Sequence, residues 1–499
     1  MSLFSLFSRT RQPATVPTDR IIPLRYWDDL DYLRRLCHDF TFRFDDVLDA
    51  AKLEGALARL MEIGDWGQMG ARLRLNENGR LEYHIPAEYT KTRPAFNFTT
   101  TEYGMQIGEH PLGSQLPKSG QDQSVLSPSP AVFAPLVRHP DSPKELADWI
   151  YSDRPQLHIH VAGFRDATLV TISYVHTLFD AIARTTFFKA WIAVLKGRED
   201  EVPDFIPFEH DPLRTLGLDA PVKGYRNLGR VVHGVGLVVF GLRYLFELFW
   251  FRKEEEHPIR LPGRCVDRLR ETAQTDLAAA TPKGAEVPFV SEGDVVVAWW
   301  VRTMVTALHP RPDRTIMVMN VFNVWALFHE WFPTGGAGFI GNAFFYSYTL
   351  LVAGQVLRDT NLGHVASRNR QALMEHRNRE QVQAMTAIQR ASFTRTPPVV
   401  GDANLLFMAC TNQHKARYFE LDFSAAVVSP GVPLRERPHA LGRPSYINDI
   451  EHCRSYPTRN VVRIIGKDAA GDYWLLFKTR AGVWPAIHRQ LMALLAIDE

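Results

Sequence analysis

The sequence predicts a mixed α/β protein in two domains, and three observations carry that expectation. Its 499 residues are more than one hydrophobic core usually organises. The run Ala167-Thr168-Leu169-Val170-Thr171-Ile172 reads as a buried strand ending near Ser173, and an amphipathic run begins directly afterwards at Ala181. Helical and strand patterns go on alternating beyond residue 260 up to the C-terminal end.

Composition narrows the class. Hydrophobic residues make up 45% and charged residues 22%, the balance of a soluble globular enzyme. With 57 basic against 55 acidic side chains, the net charge of +2 gives no footprint for nucleic acid, although a local patch can still attract an anion. The 4 cysteines, Cys37, Cys265, Cys410 and Cys453, show neither metal-ligand spacing nor a secreted disulfide framework, so a reducing compartment is expected. The opening Met1 to Arg11 is mildly apolar. Its apolar run is too short for a signal peptide and its basic residues follow it, so a flexible arm is expected.

In chain order, Arg20 to Leu24 reads as a first strand or extended lead-in. Asp28 to Cys37 has helical spacing, and Phe40-Thr41-Phe42-Arg43 reads as a strand. Asp49 to Met61 puts Leu53, Leu57 and Leu60 on one side of a helix. Gly67 to Leu73 and Arg80 to His84 flank the turn Asn76-Glu77-Asn78-Gly79, a hairpin signal. Residues 106–130, rich in Gly, Pro, Ser and Gln, are expected as a surface loop, and Glu145 to Trp149 as a short helical turn. Gln156 to Ala162 alternates as a strand with His158 and His160 on one face. No third ligand follows at a known spacing, so they are expected as polar strand residues and not as metal ligands. The helix Ala181 to Leu195 runs into the proline-rich loop Val202 to Leu213.

Val231 to Phe251 is the most apolar stretch and nearly long enough to span a membrane. His233, Arg243 and Glu247 interrupt it, and Gly234, Gly236 and Gly241 weaken it as a helix. A segment inside the protein is expected, crossing between domains or walling a pocket. Stable membrane insertion is not expected; a peripheral touch on a membrane surface stays open. Arg252 to Glu256 reads as its solvated end. Cys265 to Ala280 is helical, and Ser291-Glu292-Gly293-Asp294 has the form of an N-cap with acidic first-turn residues ahead of the helix Val295 to Ala307. A strand from Arg314 to Val321 follows. Gly335 to Asn342 is glycine-rich but lacks the spacing and the lysine–serine pair of a nucleotide phosphate loop. One long helix is expected over Val365 to Arg390, then a strand Asn404 to Cys410, a hairpin from Val461 to Phe477 and a terminal helix from Trp484 to Ile497.

The chemistry-bearing stretch is Ser173-Tyr174-Val175-His176-Thr177-Leu178-Phe179-Asp180-Ala181. His176 stands where a strand ends, a position at which α/β folds expose reactive side chains. Imidazole there can take a proton from a hydroxyl, thiol or amine near neutral pH. Asp180 lies four residues on and would share a face with His176 if the segment were helical. The pair alone is a weak motif.

Together with its flank Phe164 to Val175, His176-Thr177-Leu178-Phe179-Asp180-Ala181 resembles the HxxxD motif of the BAHD acyltransferases, and within them the fungal branch acting on secondary metabolites, including trichothecene-type O-acetyltransferases. The resemblance implies a two-domain chloramphenicol-acetyltransferase-like fold with an inter-domain tunnel. It divides the chain into a first acyltransferase domain over 1–220, an apolar crossover segment over 221–285 and a second acyltransferase domain over 286–499. Phe339-Ile340-Gly341-Asn342 resembles the family's YFGN-like segment, in which Asn342 would hold backbone groups near the interface; a plain turn asparagine is the alternative. Asp422 and Phe423 match the start of the structural DFGWG motif, whose remaining positions are Ser424, Ala425 and Ala426 here. The arginine that usually pairs with the motif aspartate is replaced by Trp325, leaving Asp180 to another cation, to solvent or to backbone donors.

The resemblance also implies the reaction. Acyl-CoA is a co-substrate, with no bound cofactor, no metal and no covalent enzyme intermediate. His176 deprotonates the hydroxyl of a hydrophobic small-molecule acceptor and returns the proton to the CoA thiolate, while Asp180 holds the turn. A cytoplasmic monomer is expected. Three alternatives stay open: condensation from a carrier-protein thioester, cyclisation or rearrangement of a polyketide or terpenoid, and a non-catalytic ligand binder. A serine hydrolase is disfavoured because no G-x-S-x-G elbow is present.

Overall fold

Two sheets organise the chain, and the order of their strands decides what meets at the junction between them. The structure, a computed structural model, describes residues 11–118, 125–358, 361–452 and 458–496. The expected N-terminal arm falls almost wholly outside the described residues, as does part of the 106–130 loop.

The first sheet has five strands in the order Tyr446–His452, Cys37–Phe44, Thr168–Val175, His158–Gly163 and Asn97–Glu102. Cys37–Phe44 and Thr168–Val175 are buried at every residue, as central strands covered on both faces must be. Their antiparallel register sets Phe40 opposite Ile172 and Phe42 opposite Val170. On that face lies the helix Ala181–Leu195, whose Phe188 ring meets Phe42 edge-on at 4.8 Å.

The second sheet has six strands in the order Phe344–Val352, Thr315–Asn323, Leu406–Asn412, Val461–Lys467, Tyr473–Arg480 and Glu254–Leu261. Helices Gly263–Ala280, Glu292–Leu308, Leu362–His376 and Trp484–Ala496 pack over it around a separate apolar core. Ser291 caps its helix as expected, closing a reciprocal pair with Asp294. A third apolar cluster, including Trp27, Phe328, Phe339 and Phe345, bridges the two halves.

Several expectations need correction. Residues 254–280 do not form a crossover segment: they supply an edge strand of the six-stranded sheet and a helix of its core. The far C-terminal strand Tyr446–His452 pairs instead with Cys37–Phe44, and Val427–Pro430 pairs with Asp46–Leu48, so strands from the second half of the chain complete sheets of the first. The long helix over 365–390 is two helices, Leu362–His376 and Arg379–Ala391. The side chain of Asn378 accepts a hydrogen bond from the Gln381 N–H and starts the second as a cap. Helical spacing over 28–37 yields only the single turn Asp31–Arg34.

The largest correction concerns the apolar stretch. Gly234–Trp250 is a helix, yet none of its residues is buried. Its two charged side chains anchor it to the body: Arg243 donates to the Asn404 side chain, and Glu247 pairs with Arg314 at 2.7 Å. That turns the Arg243–Glu247 side towards the body and most of the apolar residues out, because the partners of these two charges stand at the sheet end. Among the described residues no helix is long and apolar enough to cross a membrane.

Candidate active site

The segment after Thr168–Val175 is a turn and not a helix, so His176 and Asp180 do not share a helical face. The His176 N–H donates to the Leu36 carbonyl at 2.8 Å, which ties the turn to the neighbouring strand. Asp180 then starts the next helix. Its Oδ1 accepts from the N–H groups of Ile182 and Ala183, both at 2.9 Å. Its Oδ2 reaches the other half of the molecule, accepting from the Ala343 N–H at 3.1 Å and from Asn323 Nδ2 at 3.4 Å. No cation is needed: backbone donors fill the place of the arginine. Burial nevertheless pushes the Asp180 carboxyl up, opposed by the bonds from Ala183, Ala343 and Ile182.

The ring of His176 has a different partner. Its Nδ1 lies 3.1 Å from Asn342 Oδ1. The Asn342 Nδ2 is already committed, donating to Asp28 Oδ1 at 2.9 Å and to the His176 carbonyl at 3.0 Å. Asp28 Oδ1 also accepts from the Asn342 N–H at 2.6 Å. The amide oxygen therefore faces the ring, and because it can only accept, this network assigns the proton to Nδ1 and the lone pair to Nε2. Asn342 is thus neither a plain turn residue nor only a backbone clamp. Gly341 beside it permits this close packing: a Cβ there would stand 2.9 Å from Arg25 Nη1 and 3.1 Å from Asp28 Oδ2.

The half-buried His176 ring lies in an aromatic and ionic wall. Phe344 stands edge-on at 5.9 Å and His38 at 5.5 Å. Burial pulls the His176 imidazole down to about 3, with the neighbouring His38 acting in the same direction, so the ring is neutral at physiological pH. His38 Nδ1 meets Asp449 Oδ1 at 3.0 Å, and Asp449 Oδ2 meets Arg463 at 3.1 Å. Burial opposes the charge on Asp449, but Arg463 and His38 hold the carboxyl well below its usual range. On the other side of the turn the buried Arg184 donates to Tyr174 and, at 2.6 Å, to Tyr418. Asp28 is pushed up to about 7 by burial, despite Arg25 and Asn342.

The remaining marked residues lie apart. Trp325 packs against Phe332 and Phe339 at 6.1 and 5.8 Å. Phe423 is fully buried, 5.4 Å from Phe44 and 5.8 Å from Trp191, and Asp422 pairs with Lys196 at 2.5 Å. No residue from Asp422 to Ala426 has a positive φ, so this loop has no backbone position that calls for glycine. His158 and His160 bond Asn97 and Thr99, and no metal-binding group occurs among the described residues.

Comparison with known proteins fits this arrangement. No family model matches the chain. The acetyltransferase adrJ of Penicillium rubens is 42% identical over 492 residues, covering 97% of this chain and 98% of its own length. The chain belongs to the BAHD acyltransferases. These enzymes move an acyl group from acyl-CoA to an acceptor. Among solved structures, TRI101 of F. sporotrichioides complexed with coenzyme A and T-2 shares the BAHD fold at a TM-score of 0.64 and 14% identity, over 94% of this chain and 97% of that one. Another relative, 35% identical over 495 residues and covering 98% of this chain and 99% of its own length, is named transcriptional regulator calD, from Penicillium decumbens.

Three site residues escaped the motif reading: Asp28, His38 and Asp449. His38 left one signal. It precedes Phe40 and Phe42 at strand spacing, a polar residue on an otherwise aromatic face. Asp28 and Asp449 left none, because their partners lie 314 and 411 residues away in sequence.

Proposed function

We propose that this protein transfers a short acyl group, most simply acetyl, from acyl-CoA to a hydroxyl of a hydrophobic secondary metabolite, with His176 as general base. The observation that carries the reading is the Asp28–Asn342–His176 chain, which holds Nδ1 protonated and leaves Nε2 as the acceptor. Nε2 takes the acceptor proton as its oxygen bonds to the thioester carbonyl carbon. The tetrahedral intermediate then breaks its C–S bond, and the imidazolium returns the proton to sulfur, releasing CoA thiol and ester. An imidazole at about 3 is a weak base towards a free alcohol. The proton must move as the C–O bond forms, when the hydroxyl has become acidic. The Nδ1–H bond to Asn342 strengthens as the ring becomes charged.

Asp180 takes a positioning role in this scheme, joining the turn to Ala343 and Asn323. The acceptor class rests on the Phe344 ring against His176, on the acetyltransferase name of adrJ and on the T-2 named in the TRI101 complex. A cytoplasmic setting is supported by the few, widely spaced cysteines, whose spacing fits no secreted disulfide framework.

The test is purified protein with acetyl-CoA and a panel of hydrophobic alcohols, following free thiol and acylated product, with His176→Ala as control. Product formation lost in the control is expected. No thiol release across the panel by folded protein, or use of carrier-bound thioesters instead, overturns the proposal.

A further inference from the structure

The helix Gly234–Trp250 presents its apolar residues to solvent. Val235 is 80% exposed, Leu242 63%, Leu245 61%, Phe249 63% and Trp250 68%. With Val238 and Phe246 these residues span about 140° of arc at 3.6 residues per turn, a face broader than the two-position seam of a helix pair. The opposite side, with Phe240, Arg243, Tyr244 and Glu247, lines a cleft against Arg314 and Asn404. The polar contacts of the helix therefore hold it to the body, while a contiguous apolar surface faces away.

Charge identifies what covers that surface. Arg230 and His233 are exposed ahead of the helix, and Arg252 and Lys253 are exposed just beyond it. Glu247, its one carboxylate, is turned to Arg314. The Arg252 guanidinium lies 4.4 Å over the Phe249 ring, beside Trp250. An apolar face edged by aromatic rings and flanked by cations is complementary to an anionic lipid surface, with rings at the headgroup boundary and cations on phosphates. Pairing with a second copy is opposed by the same charges, since parallel and antiparallel arrangements both bring basic ends together.

We propose that this helix docks the protein onto anionic membranes, lying in the plane of the interface without crossing it. The proposal is independent of the acyl-transfer reading.

Flotation of the full-length protein with phosphatidylcholine vesicles, with and without phosphatidylserine, tests it. The protein is expected to float with the phosphatidylserine vesicles, less so at high salt. Leu245→Ser/Phe249→Ser/Trp250→Ser should lower the vesicle partition coefficient on the order of 100-fold with an unchanged melting temperature. Arg252→Glu/Lys253→Glu, which leaves the apolar face intact, should abolish the preference for phosphatidylserine. Failure of the wild-type protein to float with either vesicle overturns the proposal, as does undiminished flotation of the folded triple variant. A wild-type dimer in light scattering that the triple variant makes monomeric, with no vesicle binding, assigns the face to a second copy and also overturns it.

Discussion

Helices Ala181–Leu195 and Gly234–Trp250 are both predominantly apolar in sequence, and the molecule treats them in opposite ways. In the first, 11 of 15 residues are buried, Arg184 among them; in the second, none is. The difference lies in where each charged side chain finds a partner. Arg184 is drawn into the core because the Tyr174 and Tyr418 hydroxyls meet it there, with Phe40 under its plane at 3.8 Å. Arg243 and Glu247 find theirs on one side only, at the sheet end near Asn404 and Arg314, and among the described residues no layer covers the other side. Apolar content alone does not bury a helix; where its charged residues find partners decides which way it faces.

Substitutions on and around the two helices can break or sharpen this contrast. The largest effect is expected ahead of the buried helix. His176→Ala should lower kcat by roughly 10²–10⁴ in a protein that still folds, at a stability cost of about 1–3 kcal/mol from the Asn342 oxygen left without its donor. Retention of more than about a tenth of the wild-type rate would remove His176 as the base.

Phe188→Ala opens space beneath a ring with no exposed surface and should cost about 3–5 kcal/mol in denaturant unfolding. A loss below about 1 kcal/mol would mean that the helix is not held by this packing.

Asp180→Ala removes the cap of the same helix, worth about 1 kcal/mol, and leaves the Ala343 N–H without its acceptor, a further ~1–3 kcal/mol. Activity should fall with it through displacement of the turn. Unchanged stability with abolished activity would instead give Asp180 a direct part in the chemistry.

The pH profile separates the polar turn from an exposed histidine. The His176 imidazole is pulled down to about 3, so its basic form persists as pH falls towards that value. The rate should therefore show no acid limb near an ordinary histidine value of about 6.5. An acid limb there that disappears in His176→Asn would show the ring to be less desolvated in the working enzyme.

The smallest effect belongs to the exposed helix. Phe246→Ala, at a ring 61% exposed, should change stability by no more than about 0.5 kcal/mol. A loss as large as that of Phe188→Ala would place this face in a contact within the folded protein.

Legibility in sequence followed the range of the interactions. The helix Ala181–Leu195 and the cap at Ser291 were readable to the residue, because strand ends, apolar spacing and capping side chains act over a few positions. The closing hairpin, Val461–Lys467 with Tyr473–Arg480, was readable for the same reason. The 365–390 region failed as one helix because both its halves carry helical spacing across the polar run 375–381, and the cap at Asn378 within that run breaks it.

What the sequence determined by itself is the set of local elements and the place of His176 at the end of a buried strand. Burial of Thr168–Val175 is written in its apolar run, and a polar residue must leave the core where that run stops. Tertiary structure decided what surrounds that ring. Asn342 is 166 residues from His176, Asp28 is 314 from Asn342, and Tyr446–His452 crosses to the first sheet to bring Asp449 behind His38. It also decided that the most apolar helix faces outward. Periodicity along a chain specifies which side of an element is apolar, but the partner for each side is chosen among distant surfaces, by where buried polar groups can all be satisfied at once.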